Sequence, residues 1–221
     1  MTLELLVADI EQRFGFQTLR PAADLAPARD LLPTGLPAAD ELLDGGLVSG
    51  AVHCISGAPT SGATSLLYQA LAGAQAAGLP VVYLDMGGRL DPPNAAAAGV
   101  ELGRLLLLNG ASLKHALFLI RALAQQRLPC LIALDHPAAL PLAQLKAILR
   151  DAPLTLLALS PRPLPGMQVA LECQRQDWLT QGRDIVGFIS QLRLTAHPFL
   201  PFRQVRATFD IPREEACSAR W

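Results

Sequence analysis

The 221-residue chain predicts an open α/β sheet, mostly parallel, flanked by helices and finished by an antiparallel C-terminal extension. Three observations carry that prediction. From residue 51 to residue 160, apolar runs alternate with helical periods, as strand and helix must in a sheet built from right-handed crossovers. Several runs, PCLIALD and LTLLALS among them, are almost continuously apolar, the pattern of parallel strands covered on both faces. After Ser160 the helical periods stop. MQVALECQRQDW, GFISQLRLT and RQVRATFDI then follow as strand-like segments with no helix between them.

Taken in order, TLELLVADIEQRFG predicts an amphipathic helix within residues 1–16, with Leu3, Leu6, Ile10 and Phe14 on one face. Residues 17–30 have prolines and no period, which makes them a linker. PTGLPAADELLDGG gives a turn, a short helix and a glycine stop. AVHCIS is a strand, GAPTSGAT a loop and SLLYQALAGAQAAG a helix. LPVVYLD and RLLLL are strands on either side of a short helix over AAAAGV. SLKHALFLIRALAQQR is a helix, PCLIALD a strand, LAQLKAILRD a helix and LTLLALS a strand. The predicted core therefore runs over residues 31–212, with 213–221 as a tail.

Charge and cysteine usage narrow the classes of function. A net charge of −1 gives no non-specific grip on nucleic acid or on an anionic membrane. No apolar run approaches the roughly 18 to 20 residues that span a bilayer. MTLELLVADIEQRF has acids and no basic n-region, so it does not read as a signal peptide. Cys54, Cys130, Cys173 and Cys217 show no C-x-x-C pairing and no histidine at ligand spacing. Cys54 and Cys130, in apolar strand-like runs, read as buried thiols, which fits a reducing cytoplasm. His53, inside a strand, reads as a half-buried structural residue, and His136 as a loop residue.

GAPTSGATS carries the chemistry. Gly57, Gly62 and Thr64 have the spacing of the phosphate loop GxxxxGK[ST], with Ala63 where that pattern has lysine. The loop follows a predicted strand and opens a predicted helix, so backbone N–H groups and the helix N-terminus face an anion. Asp135 ends an apolar strand, where such folds keep a Mg²⁺-linked carboxylate. Taken alone, it also reads as a strand-end cap or turn residue.

With these motifs in order, the chain resembles the bacterial RecA recombinase along nearly all of its length. IEQRFG resembles IExxFG, GAPTSGATS lines up with GPESSGKTT, VVYLDMGGRLDP with FIDAEHALDP, and LIALDHPAAL with VIVVDSVAAL. PTGLPAADELLDGGLVSG and HPFLPFRQVRATFDI resemble two further family segments. The resemblance implies a nucleotide loop of Gly57, Ser61, Gly62, Ala63, Thr64 and Ser65, with Asp91 on the adenine side. Mg²⁺, if a nucleotide binds, would sit at Thr64 and Asp135. Ile10 and Phe14 would dock the N-terminal helix on a neighbouring subunit, or equally fold back on their own core.

The departures fall where the family does its chemistry. Its phosphate-loop lysine is Ala63, its catalytic glutamate Gly87 and its nucleotide-sensing glutamine Pro161. The two lysines that reach a neighbour's phosphates fall on Thr195 and His197, and the ring near adenine on Asn94. Lys114 and Lys146, on predicted helices away from the loop, offer no replacement. The mobile DNA loop is reduced to PRPLPG, with Arg162 its one DNA contact, so direct DNA binding is expected to be weak or absent. Arg193, Arg203 and Arg206 read as solvated strand faces or as a weak phosphate patch. The family's C-terminal domain is expected to be missing.

The expectation is a pseudo-ATPase with no catalytic residue and no required cofactor, binding ATP and Mg²⁺ weakly if at all. It would act as an accessory protein in DNA repair, recombination or the damage response, like the RecA-like proteins of mutagenesis cassettes (ImuA-type). Its partners would be RecA or its filament, an error-prone repair polymerase, or further copies of itself. A nucleotide-binding switch and a single-stranded DNA-binding module are the alternatives.

Overall fold

Eight strands form one sheet: β3 (Val52–Ser56), β4 (Val81–Asp85), β5 (Leu105–Asn109), β6 (Cys130–Asp135), β7 (Leu154–Ser160), β8 (Val169–Gln181), β9 (Asp184–Ala196) and β10 (Arg203–Asp210). The structure is a computed structural model and describes residues 31–110, 112–135, 140–150 and 152–211. The predicted N-terminal helix with Ile10 and Phe14, the linker, His136 and the tail lie outside the described residues.

The strand order is β10-β9-β8-β3-β7-β6-β4-β5. Pairing is parallel from β8 through β5. It is antiparallel between β8, β9 and β10. The mostly parallel sheet with its antiparallel extension is therefore as the sequence predicts. A separate two-stranded antiparallel pair joins β1 (Leu31–Leu32) to β2 (Leu47–Val48). The helices are α1 (Pro37–Leu42), α2 (Ala63–Ala76), α3 (Pro92–Ala97), α4 (Leu113–Gln125) and α5 (Leu142–Leu149).

Strand alternation divides the core into two layers. On one face Ile55, Tyr83, Leu131 and Leu157 pack with Leu66, Leu67 and Leu71 of α2. On the other, Cys54, Leu84, Ile132 and Leu156 pack with Ile120 of α4 and with Leu145 and Leu149 of α5. Every position of β3, β4 and β6 is buried, which explains why those segments read as unbroken apolar runs. β5 does not share that burial, although RLLLL is just as apolar. It is the edge strand, paired only with β4, and Leu106 and Leu107 are 61% and 48% exposed.

The short helix expected over AAAAGV instead begins at Pro92. Asp91 caps it by accepting from the Asn94 amide at 3.1 Å, and proline suits the first turn, where no N–H partner is needed. Cys54, Cys130 and Cys173 are free and buried. Burial pushes Cys54 and Cys130 up to about 11 and Cys173 up to about 12, so all three remain thiols at neutral pH. Arg203 and Arg206 are solvated, whereas Arg193 is partly buried and donates to Gln191 Oε1 at 2.9 Å. No helix among the described residues is long and apolar enough to cross a membrane.

His53 is more deeply buried than its strand position suggested, at 1% exposure. Its Nε2 lies 3.0 Å from the Val48 carbonyl, which selects the neutral ring with its proton on Nε2. Desolvation is the main cause that lowers its pKa from 6.5 to about 4. Above pH 6.5 the ring is neutral in folded and unfolded chains alike. Below it, the unfolded chain binds a proton that the fold excludes. Stability is therefore expected to fall by about 3 kcal/mol as pH drops from 6.5 to about 4, and this contribution then levels off. Urea unfolding of wild type and His53→Gln across that range checks it, since the variant should lose this part of the slope. Parallel curves would contradict it.

Candidate phosphate-binding site

The glycine loop leaves the end of β3 and enters α2. It is tied down at both ends and in the middle. Gly57 N–H donates to the Ser160 carbonyl at the end of β7, at 3.1 Å. Ser190 Oγ, from β9, donates to the Ser61 carbonyl at 2.7 Å, and both residues are buried. Arg175, on β8, donates to the Thr60 hydroxyl and lies 4.2 Å over the Trp178 ring.

Gly62 turns the chain into α2 with φ 92°, a left-handed conformation that side chains rarely adopt. A Cβ there would also come within 2.9 Å of the Phe209 ring and 3.0 Å of Ser190 Oγ. Gly62 brings no capping side chain, so the first turn of α2 keeps donors and a positive dipole end for a ligand. Ala63 opens the helix with its methyl group 5% exposed.

Opposite the loop stand two strand ends. Asp85 and Asp135 are register partners on β4 and β6, 3% and 2% exposed. The Asp85 carboxylate accepts from the backbone amides of Arg89 and Leu90, at 2.9 and 3.0 Å. Asp135 Oδ1 lies 3.8 Å from Arg89 Nη1. The Tyr68 hydroxyl, on α2, accepts from Asp91 N–H at 3.0 Å and so joins this loop to the phosphate-loop helix.

The loop, Tyr68, Arg89, Asp91 and Asp135 line a cavity of about 790 Å³. Gly57, Ser61, Gly62, Ala63, Thr64, Ser65, Asp91 and Asp135 all border it. So do Asn94 and Pro161. Arg162 does not line it, and Lys114 and Lys146 are likewise elsewhere, on α4 and α5. Thr195 and His197 also lie away from it, engaged with backbone groups of residues 170, 199 and 200.

Sequence reasoning missed Arg89, Trp178, Phe188 and Phe209, all of which line the cavity. Arg89 stands inside the segment DMGGRLDP, where a cation two residues after the glutamate position was the available signal. The three aromatic residues had none, because they arrive from strands far along the chain.

The arrangement can hold an anion through loop amides, a helix N-terminus and one guanidinium. A divalent metal fits less well. Among the described residues no group of three or more acidic, histidine or cysteine side chains is placed to hold one. Asp135, the carboxylate expected to help hold one, has the Arg89 guanidinium 3.8 Å from its Oδ1.

A glycine loop between a central parallel strand and a helix, with an acid at the end of the strand next but one, defines a phosphate-loop α/β protein. This chain belongs to the RecA family, since residues 1–197 match the RecA N-terminal domain. It is 30% identical over 213 residues to the RecA protein of Xanthomonas campestris pv. campestris (strain B100), covering 93% of this chain and 59% of that one. Against the RecA protein of Tropheryma whipplei (strain Twist) it is 33% identical over 198 residues, covering 86% and 43%. The chain thus spans about half the length of these relatives. The crystal structure of the RadB recombinase shares the fold, with a TM-score of 0.60 and 20% identity over 82% of this chain and 96% of that one.

Proposed function

We propose that this RecA-family chain does not hydrolyse ATP and acts in recombination, repair or the damage response through protein contacts. The observation that carries this reading is the pair Ala63 and Gly87. A buried methyl group opens α2 where the family has its phosphate lysine, and a bare Cα stands at the glutamate position. Losing a positioned general base costs about 10² to 10⁴ in rate. Losing a charge-assisted hydrogen bond weakens binding by about 10- to 100-fold. Docking on a RecA filament, on an error-prone polymerase or on another copy would run through the segment bearing Ile10 and Phe14.

Two experiments test this. Phosphate release from ATP, with magnesium and single-stranded DNA, is expected to stay at background. Steady release that disappears in Asp135→Ala would overturn the proposal. Co-sedimentation with filaments of the host's own RecA is expected for the wild-type chain, and its loss for the Ile10→Ala, Phe14→Ala double variant.

The cavity favours a second reading, a nucleotide-binding switch without turnover. The loop is still clamped by Ser190, and Thr64 and Asp135 still border the space. Thermal stabilisation by millimolar ATP that vanishes in Thr64→Ala supports this reading, and no shift in the wild type refutes it.

A further inference from the structure

We infer that Arg89 takes the place of the divalent metal in this cavity, so that a nucleoside triphosphate binds there without magnesium. The inference rests on the nucleotide-binding reading and specifies how that site works. Arg89 is the one lysine or arginine among the described residues that line the cavity. Its guanidinium lies 3.8 Å from Asp135, whose carboxylate is 2% exposed and pairs in register with a second acid, Asp85. Two neighbouring acids at strand ends attract a cation, and a guanidinium supplies it. A dication entering beside Asp135 must displace Arg89 or meet its positive charge at close range.

The backbone that carries Arg89 is held in place from two sides. Asp85 fixes the backbone amides of Arg89 and Leu90 to the sheet. Tyr68 fixes Asp91 to α2, the helix whose first turn faces the cavity. The side chain then runs across Gly87. A Cβ at that position would sit 3.0 Å from Arg89 Nε and 3.4 and 3.5 Å from Cγ and Cδ. The missing glutamate and the added arginine therefore form one change. A glutamate at position 87 would crowd the stem of Arg89 and offer its head a competing partner.

The contact to Asp135 leaves Arg89 able to serve a ligand. At 3.8 Å it is longer than a charge-assisted hydrogen bond, which runs about 2.7–2.9 Å. The side chain is 52% exposed, and a guanidinium carries five N–H donors in a fork that matches phosphate oxygens. The guanidinium thus stands beside Asp135 and borders the space for phosphate, the place a metal takes between carboxylate and nucleotide.

Isothermal titration of the full chain with ATP, in EDTA and in magnesium, tests this. Wild type is expected to bind at least as tightly in EDTA as in magnesium. Arg89→Ala is expected to lose about 10- to 100-fold in EDTA and to recover part of it with magnesium. Arg89→Lys, which keeps the charge and loses the fork, should fall between them. Because the side chain is half exposed, unchanged melting temperatures should confirm that both variants fold. Wild-type binding only with magnesium, or equal EDTA affinities for wild type and Arg89→Ala, would overturn the proposal and leave the nucleotide site standing. No binding in either buffer would remove the nucleotide reading itself and the proposal with it.

Discussion

Phe209→Ala is expected to lower the unfolding free energy by about 3–5 kcal/mol, the range for deleting a buried aromatic ring. Phe209 is 2% exposed and stacks on Phe188 with centroids 5.2 Å apart and planes 22° from parallel. Phe188 in turn meets the edge of Trp178 at 5.9 Å. Both phenylalanine rings lie against the bare face of Gly62, so their packing supports the turn of the phosphate loop from below. Removing the ring leaves a hole that the left-handed turn at Gly62 cannot fill without losing its hydrogen-bonded anchors. Urea unfolding with an unchanged m-value measures the cost. A loss under about 0.5 kcal/mol, typical of a surface change, would show that the ring is not a packed support.

The second large effect concerns ligand rather than stability. Ala63→Lys is expected to raise ATP affinity by about 10- to 100-fold, the value of one charge-assisted bond to phosphate. The substitution lies at the first residue of α2, beside donors already aimed at the cavity. It is not expected to start hydrolysis, because position 87 still has no carboxylate to activate water. Titration calorimetry reads the first half and phosphate release the second. An unchanged affinity would mean that the loop no longer receives phosphate. Turnover from this substitution alone would mean that another group supplies the base.

How much of this was legible beforehand depended on how local each signal is. The loop at residues 57–65 and the acid at 135 stand at strand ends marked by their own sequence, and both border the cavity. RLLLL shows the limit of composition, because apolarity marks a strand but not whether a second strand will pair beside it. The start of α3 was misplaced because alanine content outweighed the Asp91 cap and Pro92, which are the physical signals for a first turn. Arg89 was overlooked for a different reason. Only the three-dimensional path of the arginine over Gly87 connects the two residues. The aromatic floor was out of reach altogether, since nothing local ties Phe188 or Phe209 to residue 62.

The sheet order also sets a timetable for synthesis. β3 is among the first strands made, yet its two neighbours, β7 and β8, come late in the chain. Ser56 hydrogen-bonds Leu171, 115 residues on, and the Ser61 carbonyl waits for Ser190, 129 residues on. At roughly 5–20 residues per second, a ribosome leaves that gap open for on the order of ten seconds. During that time VHCIS is an unpaired apolar segment in a growing polypeptide, whereas VVYLD already has both of its partners, β5 and β6. Folding dominated by such distant pairings is slow even once the chain is free, roughly milliseconds to seconds. The nascent protein therefore has a long window in which a chaperone or a neighbouring nascent chain can reach it, and the phosphate loop closes among the last parts of the molecule.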